Sequence, residues 1–462
     1  MNRTAAADQL TWRMFWIVLA GCGFLLYPLI TLPVMKFDEG VALTSASRIL
    51  HGEWPYRDFY AVYPPAHFTA LAIIFRLFGE SLLVERLANL VTQLAVIAVL
   101  LRLTRSIAVA PIVVAVFNLA PMFSYAAIPA LALGLLSLAA RTPFLAGVFA
   151  GLAVVWKLEV GFWVAAATAT AWLVFWPGWA TVLRWSAGIA AAGGPVLGIL
   201  LSAMPFSVIR AQLLDIPRQQ MSAYPPVPFP DTISRLSLIL YGPLVIAILG
   251  IGIAFWVRST DRPLFLKMLA LSLWTAAATG QGWMRPDVFH MLVPMLLSAA
   301  VVALLPFLWF QRALFVLGLL AATHLAKATY TSHSPGDLDQ TGAVQAVQKR
   351  TAPGEFIFAG LSRHDRVFVN DVSFYFFAQR PISTYYHELP PGLTSTAEVQ
   401  RQIIASLEAR RVRVVVLANQ LGDADALAPP APNGSLLLDM YLATRFEIVE
   451  RHGKYTVLER RQ

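Results

Sequence analysis

Long apolar runs separated by short polar connections fill the chain from Trp12 to Tyr330. A helix that crosses a bilayer needs roughly 20 predominantly apolar residues. Runs approaching or reaching that length are Trp12–Val34, Leu82–Leu101, Ala108–Phe123, Tyr125–Ala140, Phe144–Val160, Phe162–Trp176, Leu183–Met204, Ile233–Val257, Leu264–Thr279, Phe289–Phe310 and Ala313–Tyr330. They predict about eleven transmembrane helices, the pair between Ala108 and Ala140 being short for a full crossing. The first run is too long for a cleavable signal, and Leu32-Pro33-Val34-Met35 lacks the small residues of a cleavage site.

Beyond residue 330 the pattern changes to that of a soluble domain. Phe356–Leu361, Val367–Ala378 and Arg413–Ala418 read as strands. Thr396–Arg411 has helical apolar spacing through Val399, Ile403, Ile404 and Leu407. Phe446–Glu450 and Tyr455–Leu458 flank Arg451-His452-Gly453-Lys454, a hairpin signal, and 429–434 is a proline-rich surface loop. The predicted architecture is a polytopic α-helical membrane region, 1–330, followed by a small C-terminal α/β domain, 331–462.

Composition agrees. Of 462 residues, 58% are hydrophobic and only 13% charged, about half the charged share of an ordinary soluble chain, which is near 25%. A soluble globular enzyme, a disordered chain and a disulfide scaffold are all excluded on that ground. The single cysteine, Cys22, forbids an intrachain disulfide. The net charge of +9 is spread without a basic block, so nucleic acid is not an expected partner. Basic residues do carry topology. Arg102, Arg105, Arg141, Arg184, Arg258, Arg262 and Arg312 sit in short connections that alternate with longer loops. The positive-inside rule then places the N-terminus in the cytosol and, with an odd number of spans, the C-terminal domain in the periplasm. The expected location is the bacterial inner membrane.

Two outer loops exceed what a turn requires. The first, 35–83, opens with Phe37-Asp38-Glu39-Gly40 and continues through Glu39–Leu50, which can form an interfacial helix. It then runs through Gly52-Glu53-Trp54-Pro55-Tyr56-Arg57-Asp58-Phe59 and Tyr63-Pro64-Pro65 to a second short apolar stretch, His67–Phe78. Paired carboxylates such as Asp38 and Glu39 can act as a general base or hold a divalent cation. They can equally cap and charge a helix start. The second loop, 205–232, is rich in proline and arginine and reads as a lid, a binding loop, a disordered stretch or a plain linker.

Charges inside or beside apolar runs supply further candidates. Lys157 and Glu159 interrupt the fifth and sixth runs, and a charge at such depth is a functional hypothesis by default. At helical i, i+2 spacing they point to different sides, so direct neutralisation is not expected. Lys157 can also snorkel to the headgroups. Arg285-Pro286-Asp287 followed by His290 offers a forked cation for phosphate and a second donor or proton shuttle, or else a local Arg–Asp pair. On the assigned topology these groups share the outer face with Asp38, Arg57 and Asp58. Carboxylate and cations together suit activation of a hydroxyl beside a phosphate leaving group.

No phosphate-binding GxxxxGK[ST] loop, CxxC, HExxH or EF-hand pattern occurs, and Asp337-Leu338-Asp339 stands isolated as an Asp-x-Asp motif. A secondary transporter and a non-enzymatic envelope assembly protein remain alternatives. The first would be expected to show half-to-half repetition, which the sequence lacks.

The first-loop string, from Phe37-Asp38-Glu39-Gly40 to Tyr63-Pro64-Pro65, resembles that of the membrane-embedded GT-C glycosyltransferases, in particular bacterial protein O-mannosyltransferases and lipid A aminoarabinose transferases. Arg285-Pro286-Asp287 with His290 is similar to a later outer-loop motif of bacterial members. The resemblance implies a polyprenyl-phosphate-linked sugar donor, an acceptor hydroxyl on lipid, glycan or protein, reaction at the periplasmic face and inversion at the sugar carbon. It implies Asp38 as the base, with Glu39 beside it. Lys157, Arg285, His290 and Arg57 are then candidates for the donor phosphate, and Asp58, Tyr63, Glu159 and Asp287 for acceptor or supporting roles. The chain departs from the pattern where several relatives carry an acidic and a basic residue before the paired prolines. Val62 and Tyr63 stand there instead.

Overall fold

The computed structural model describes residues 11–61, 63–223, 234–305, 307–331, 336–419 and 429–462. Every apolar run identified above holds a helix. The chain divides into two compact units, one of Met1–Leu32, Arg86–Ile199 and Pro226–His333, the other of Pro33–Glu85, Leu200–Pro225 and Ser334–Gln462.

The first unit is helical. Among the described residues six helices are long and apolar enough to cross a membrane: Trp12–Thr31, Leu82–Thr104, Trp179–Ala203, Arg235–Val257, Arg262–Gly282 and Trp309–Thr331. Shorter apolar helices, Val109–Leu119, Ala127–Ala139, Pro143–Trp156, Leu158–Val174 and Leu292–Ala303, pack among them. Large apolar side chains such as Ile17, Phe24, Leu183 and Leu317 stay exposed. Helices apolar on their outer faces suit lipid, where every backbone polar group is satisfied within the helix. Close approach is bought with small residues. A Cβ on Gly147 would lie 1.9 Å from the Trp185 carbonyl oxygen, and one on Gly188 2.1 Å from that of Phe144, so the two helices meet backbone to backbone.

The second unit is built on a four-stranded sheet of β1 (Ile357–Leu361), β2 (Val414–Ala418), β3 (Phe446–His452) and β4 (Tyr455–Arg460). The order is β1-β2-β4-β3, with β1 and β2 parallel and the other pairs antiparallel. Strand periodicity sends alternate side chains to opposite faces. Ile357, Ala359, Val414, Val416 and Val457 pack with Val344, Val347 and Phe374 on one side. Phe358, Val415 and Leu458 pack with Ile403, Leu407, Leu438 and Leu442 on the other. Tyr60, from the first long loop, is buried in that second layer, and Ile216 packs against it.

Two local expectations change. Val367–Ala378 is no strand; residues Ser373–Ala378 form a helix. The Asp371 carboxylate accepts from the Ser373 hydroxyl and the Phe374 N–H, a turn-starting arrangement that competes with a ladder. Val372, Phe374, Tyr375, Phe376 and Ala378 are all buried, so no alternation marks the true element. The second long loop is largely helical, with Phe206–Arg210, a π-helical turn Ala211–Asp215 and Ile216–Ala223. Its prolines at 225–230 lie outside the described residues, as does Val62.

Candidate active site

Asp38 opens a helix, Asp38–Leu50, and is itself exposed. The next residue is not. Glu39 is fully buried, and its carboxylate accepts from the Met35 N–H at 2.8 Å, satisfying a donor ahead of its own helix. The adjacent acids therefore do different things. Glu39 is committed to the helix start, while Asp38 presents a carboxylate at the surface beside the positive end of the helix dipole.

The helix that carries them is packed against protein rather than open along one face: residues 39–46 are all buried. The reason is a close crossing with the Val372–Ser373 backbone. A Cβ on Gly40 would fall 2.4 Å from the Ser373 nitrogen, so glycine permits the approach. Thr44 donates to the Val372 carbonyl at 2.9 Å. The next residue, Ser45, meets His387 Nε2 with its hydroxyl at 3.1 Å, and Arg48, about one turn on, donates to His387 Nδ1 at 3.4 Å. With Nδ1 accepting, the imidazole is the neutral Nε2–H tautomer. Burial, then the Arg48 charge, lowers the His387 pKa well below the ordinary value of 6.5.

Arg57 and Asp58 form a forked pair, with Nη2 to Oδ2 at 2.6 Å and Nε to Oδ1 at 2.9 Å. Asp58 also accepts from the Trp54 N–H at 2.8 Å. The Arg57 bond, against some cost of burial, holds the Asp58 carboxyl below its usual range. Arg57 thus already has a carboxylate partner. Tyr63 is half-buried against Phe68, and its carbonyl accepts from the Tyr56 hydroxyl.

The remaining candidates lie in the helical unit. Lys157 pairs with Glu159 at 2.8 Å, contrary to the expectation from helical spacing. The chain breaks at Lys157, whose φ of −151° and ψ of 110° are extended, so the helices Pro143–Trp156 and Leu158–Val174 are separate and the i, i+2 geometry is not helical. The ammonium is buried over the Tyr125 ring rather than snorkelling outward. Gln281 also hydrogen-bonds Glu159 and accepts from the Trp163 indole. Between Arg262–Gly282 and Leu292–Ala303, Asp287 bonds His290 Nδ1 at 2.8 Å and accepts from the N–H groups of Phe289 and His290. Burial works against its charge, yet the His290 ring and the two amides hold its carboxyl below the usual range. Arg285 is half-buried at the head of this turn.

Sequence reading missed several groups. Lys36 carries no distinguishing sequence signal, yet its ammonium contacts Asp337 and the Tyr455 hydroxyl and lies 3.9 Å from Asp371. Asp337, the first residue of the Asp-x-Asp motif, caps the helix Leu338–Arg350 through the Gln340 N–H. That role accounts for it without nucleotide chemistry. Arg48 and His387 carried no local signal, being 339 positions apart. Among the described residues, no group of three or more His, Cys, Asp or Glu is placed to hold a metal ion.

No protein-family model matches the sequence, and no curated protein matches it by sequence. Solved structures do match in fold. ArnT from Cupriavidus metallidurans bound to undecaprenyl phosphate superposes with a TM-score of 0.61 at 15% identity, over 98% of both chains. The apo state of the same protein gives 0.51 at 15% identity, over 96% of this chain and 97% of that one. ArnT is a lipid A aminoarabinose transferase of the GT-C glycosyltransferases. This chain, then, is a multi-pass membrane protein with the GT-C fold, the fold of ArnT, from the first apolar helix to the C-terminal sheet.

Proposed function

We propose that this chain is an inverting glycosyltransferase, of the EC 2.4 class, that moves a sugar from a polyprenyl-phosphate carrier to a hydroxyl acceptor at the periplasmic face of a bacterial inner membrane. The observation that carries the reading is the end-to-end fold correspondence with a protein solved on undecaprenyl phosphate. The exposed carboxylate of Asp38 beside the buried, committed Glu39 supports it.

In this reading Asp38 takes the acceptor hydroxyl proton as that oxygen forms its bond to the sugar carbon. The bond from that carbon to the phosphate oxygen breaks on the opposite face, and the electron pair leaves with polyprenyl phosphate. Arg285 and His290 bind the phosphate and stabilise its growing charge. Lys157 adds a cation that Glu159 already balances. Asp287 orients His290. Arg57, held by Asp58, is a further cation for the donor phosphate, and Asp58 and Tyr63 line the acceptor side. A divalent cation at the acidic residues is tested by adding and chelating it in the same assay. The acceptor is a hydroxyl of lipid, glycan or protein.

The test is transfer by purified protein from labelled polyprenyl-phosphate sugars, following release of polyprenyl phosphate and the anomeric configuration of the product. Arg285→Ala should weaken donor binding about 10- to 100-fold, the value of one charge-assisted hydrogen bond. Reporters fused after Arg105 or Arg258 should read cytosolic and one at Gln462 periplasmic. Absence of polyprenyl phosphate release across a panel of sugars and acceptors would sink the reading.

A further inference from the structure

We propose that Lys36, Asp371 and Tyr455 act as a clamp by which the C-terminal sheet domain positions Asp38. The inference rests on the reading of Asp38 as the base, and it gives the C-terminal domain a part in the reaction.

The clamp is built from groups more than 300 positions apart in sequence. The Lys36 ammonium, two residues before Asp38, donates to the Tyr455 hydroxyl at 2.6 Å and to Asp337. The Tyr455 hydroxyl in turn donates to Asp371. Asp371 is 2% exposed and accepts further bonds from Gln340 Nε2 at 2.8 Å and the Ser373 hydroxyl at 2.6 Å. The backbone closes the ring, because the Lys36 carbonyl accepts from the Ser373 N–H at 3.0 Å. Residues on both sides of Asp38 are therefore held by one turn of the C-terminal domain, with Gly40 and Thr44 completing the contact.

Val41, Leu43 and Ala46 give the helix a buried apolar contact. It does not set rotation or axial position, since apolar contact is non-directional. A buried charge network costs desolvation, and its best-attested use is to fix a single register. The register matters here because Asp38 is the first residue of the helix. A catalytic group must be held within about 0.5 Å, and a 1 Å misplacement costs on the order of 100-fold in rate.

Tyr455→Phe keeps the ring and its packing and removes only the hydroxyl that links Lys36 to Asp371. In the full-length protein we expect kcat to fall roughly 10- to 100-fold with donor affinity unchanged. Lys36→Gln, which breaks the same link from the other side, should do likewise and serves if the first variant fails to fold. The deciding measurement is each change repeated in an Asp38→Asn background. A group that acts by placing the Asp38 carboxylate has nothing left to place there, so the second loss should vanish. Equal losses in both backgrounds, no loss in either, or a change in donor affinity in place of kcat would overturn the clamp. Wild-type turnover in Asp38→Asn alone would instead remove the base assignment on which it stands.

Discussion

Asp38 and Glu39 are neighbours of the same chemistry, and the structure separates their roles sharply enough to predict opposite phenotypes. Asp38→Asn keeps size and most hydrogen bonding but removes basicity. General-base assistance is worth typically 10²–10⁴-fold, so turnover should fall by about that factor, equivalent to roughly 2.7–5.4 kcal/mol of barrier. Because Asp38 is exposed and sits at the first turn, the stability change from its helix-dipole interaction should be small, about 0.3–1 kcal/mol. Glu39→Gln acts the other way. Its carboxylate is fully buried and accepts a backbone N–H at 2.8 Å. The amide can still accept, but the bond is no longer charge-assisted, and the loss is about 1–2 kcal/mol of stability. Thermal unfolding in detergent and single-turnover transfer from a polyprenyl-phosphate sugar, run on both variants, read the two effects separately. Asp38→Asn should be stable and nearly inactive, Glu39→Gln less stable and active. An exchange of the two phenotypes would make Glu39 the base, and full turnover in both would leave the first loop structural.

Three other outcomes follow from particular contacts. Lys157→Met strands the Glu159 carboxylate; loss of one partner of a buried pair costs about 3–5 kcal/mol, reduced here because Glu159 is a third exposed, and Lys157→Met with Glu159→Gln should recover most of it. Additive melting-temperature losses in the double variant would argue that the pair does not interact. Gly40→Ala should gain helix propensity of about 1 kcal/mol yet lower the melting temperature, since the added Cβ meets the Ser373 backbone at 2.4 Å and overpacking costs about 1–3 kcal/mol; a more stable variant would refute the close crossing. The third concerns acid. Unfolded His387 takes a proton near pH 6.5, while the buried ring, its pKa lowered well below that, stays neutral. Stability from this group is present above pH 6.5 and lost as pH falls through the window down to the folded value, by about 1.4 kcal/mol per unit. His387→Gln should flatten that slope in melts between pH 7 and 5, and an unchanged slope would place the acid sensitivity elsewhere.

The sequence by itself determined the elements whose signal is local. Apolar runs long enough to need lipid became helices, because hydrophobic periodicity and length are properties of adjacent residues. β1, β2 and the hairpin of β3 and β4 were legible for the same reason, as was the helix Ala397–Ala409. Val367–Ala378 reads as a strand but holds a helix, because burial on all sides of Ser373–Ala378 erases any alternation. The acidic string after the first apolar helix could be singled out, but not which acid is buried, since Asp and Glu side by side carry no information about their surroundings. The Lys157–Glu159 pair likewise depends on one extended residue that interrupts a continuous apolar pattern. Only the tertiary structure decided that Pro33–Glu85 and Leu200–Pro225 share a compact unit with Ser334–Gln462. It alone joined Lys36 to Tyr455, 419 positions away, and Ser45 to His387, 342 positions away. Such pairings leave no trace in local composition. A lysine before a helix looks the same whether water or a buried tyrosine accepts its hydrogen bond, and only the folded chain supplies the partner that gives its charge a use.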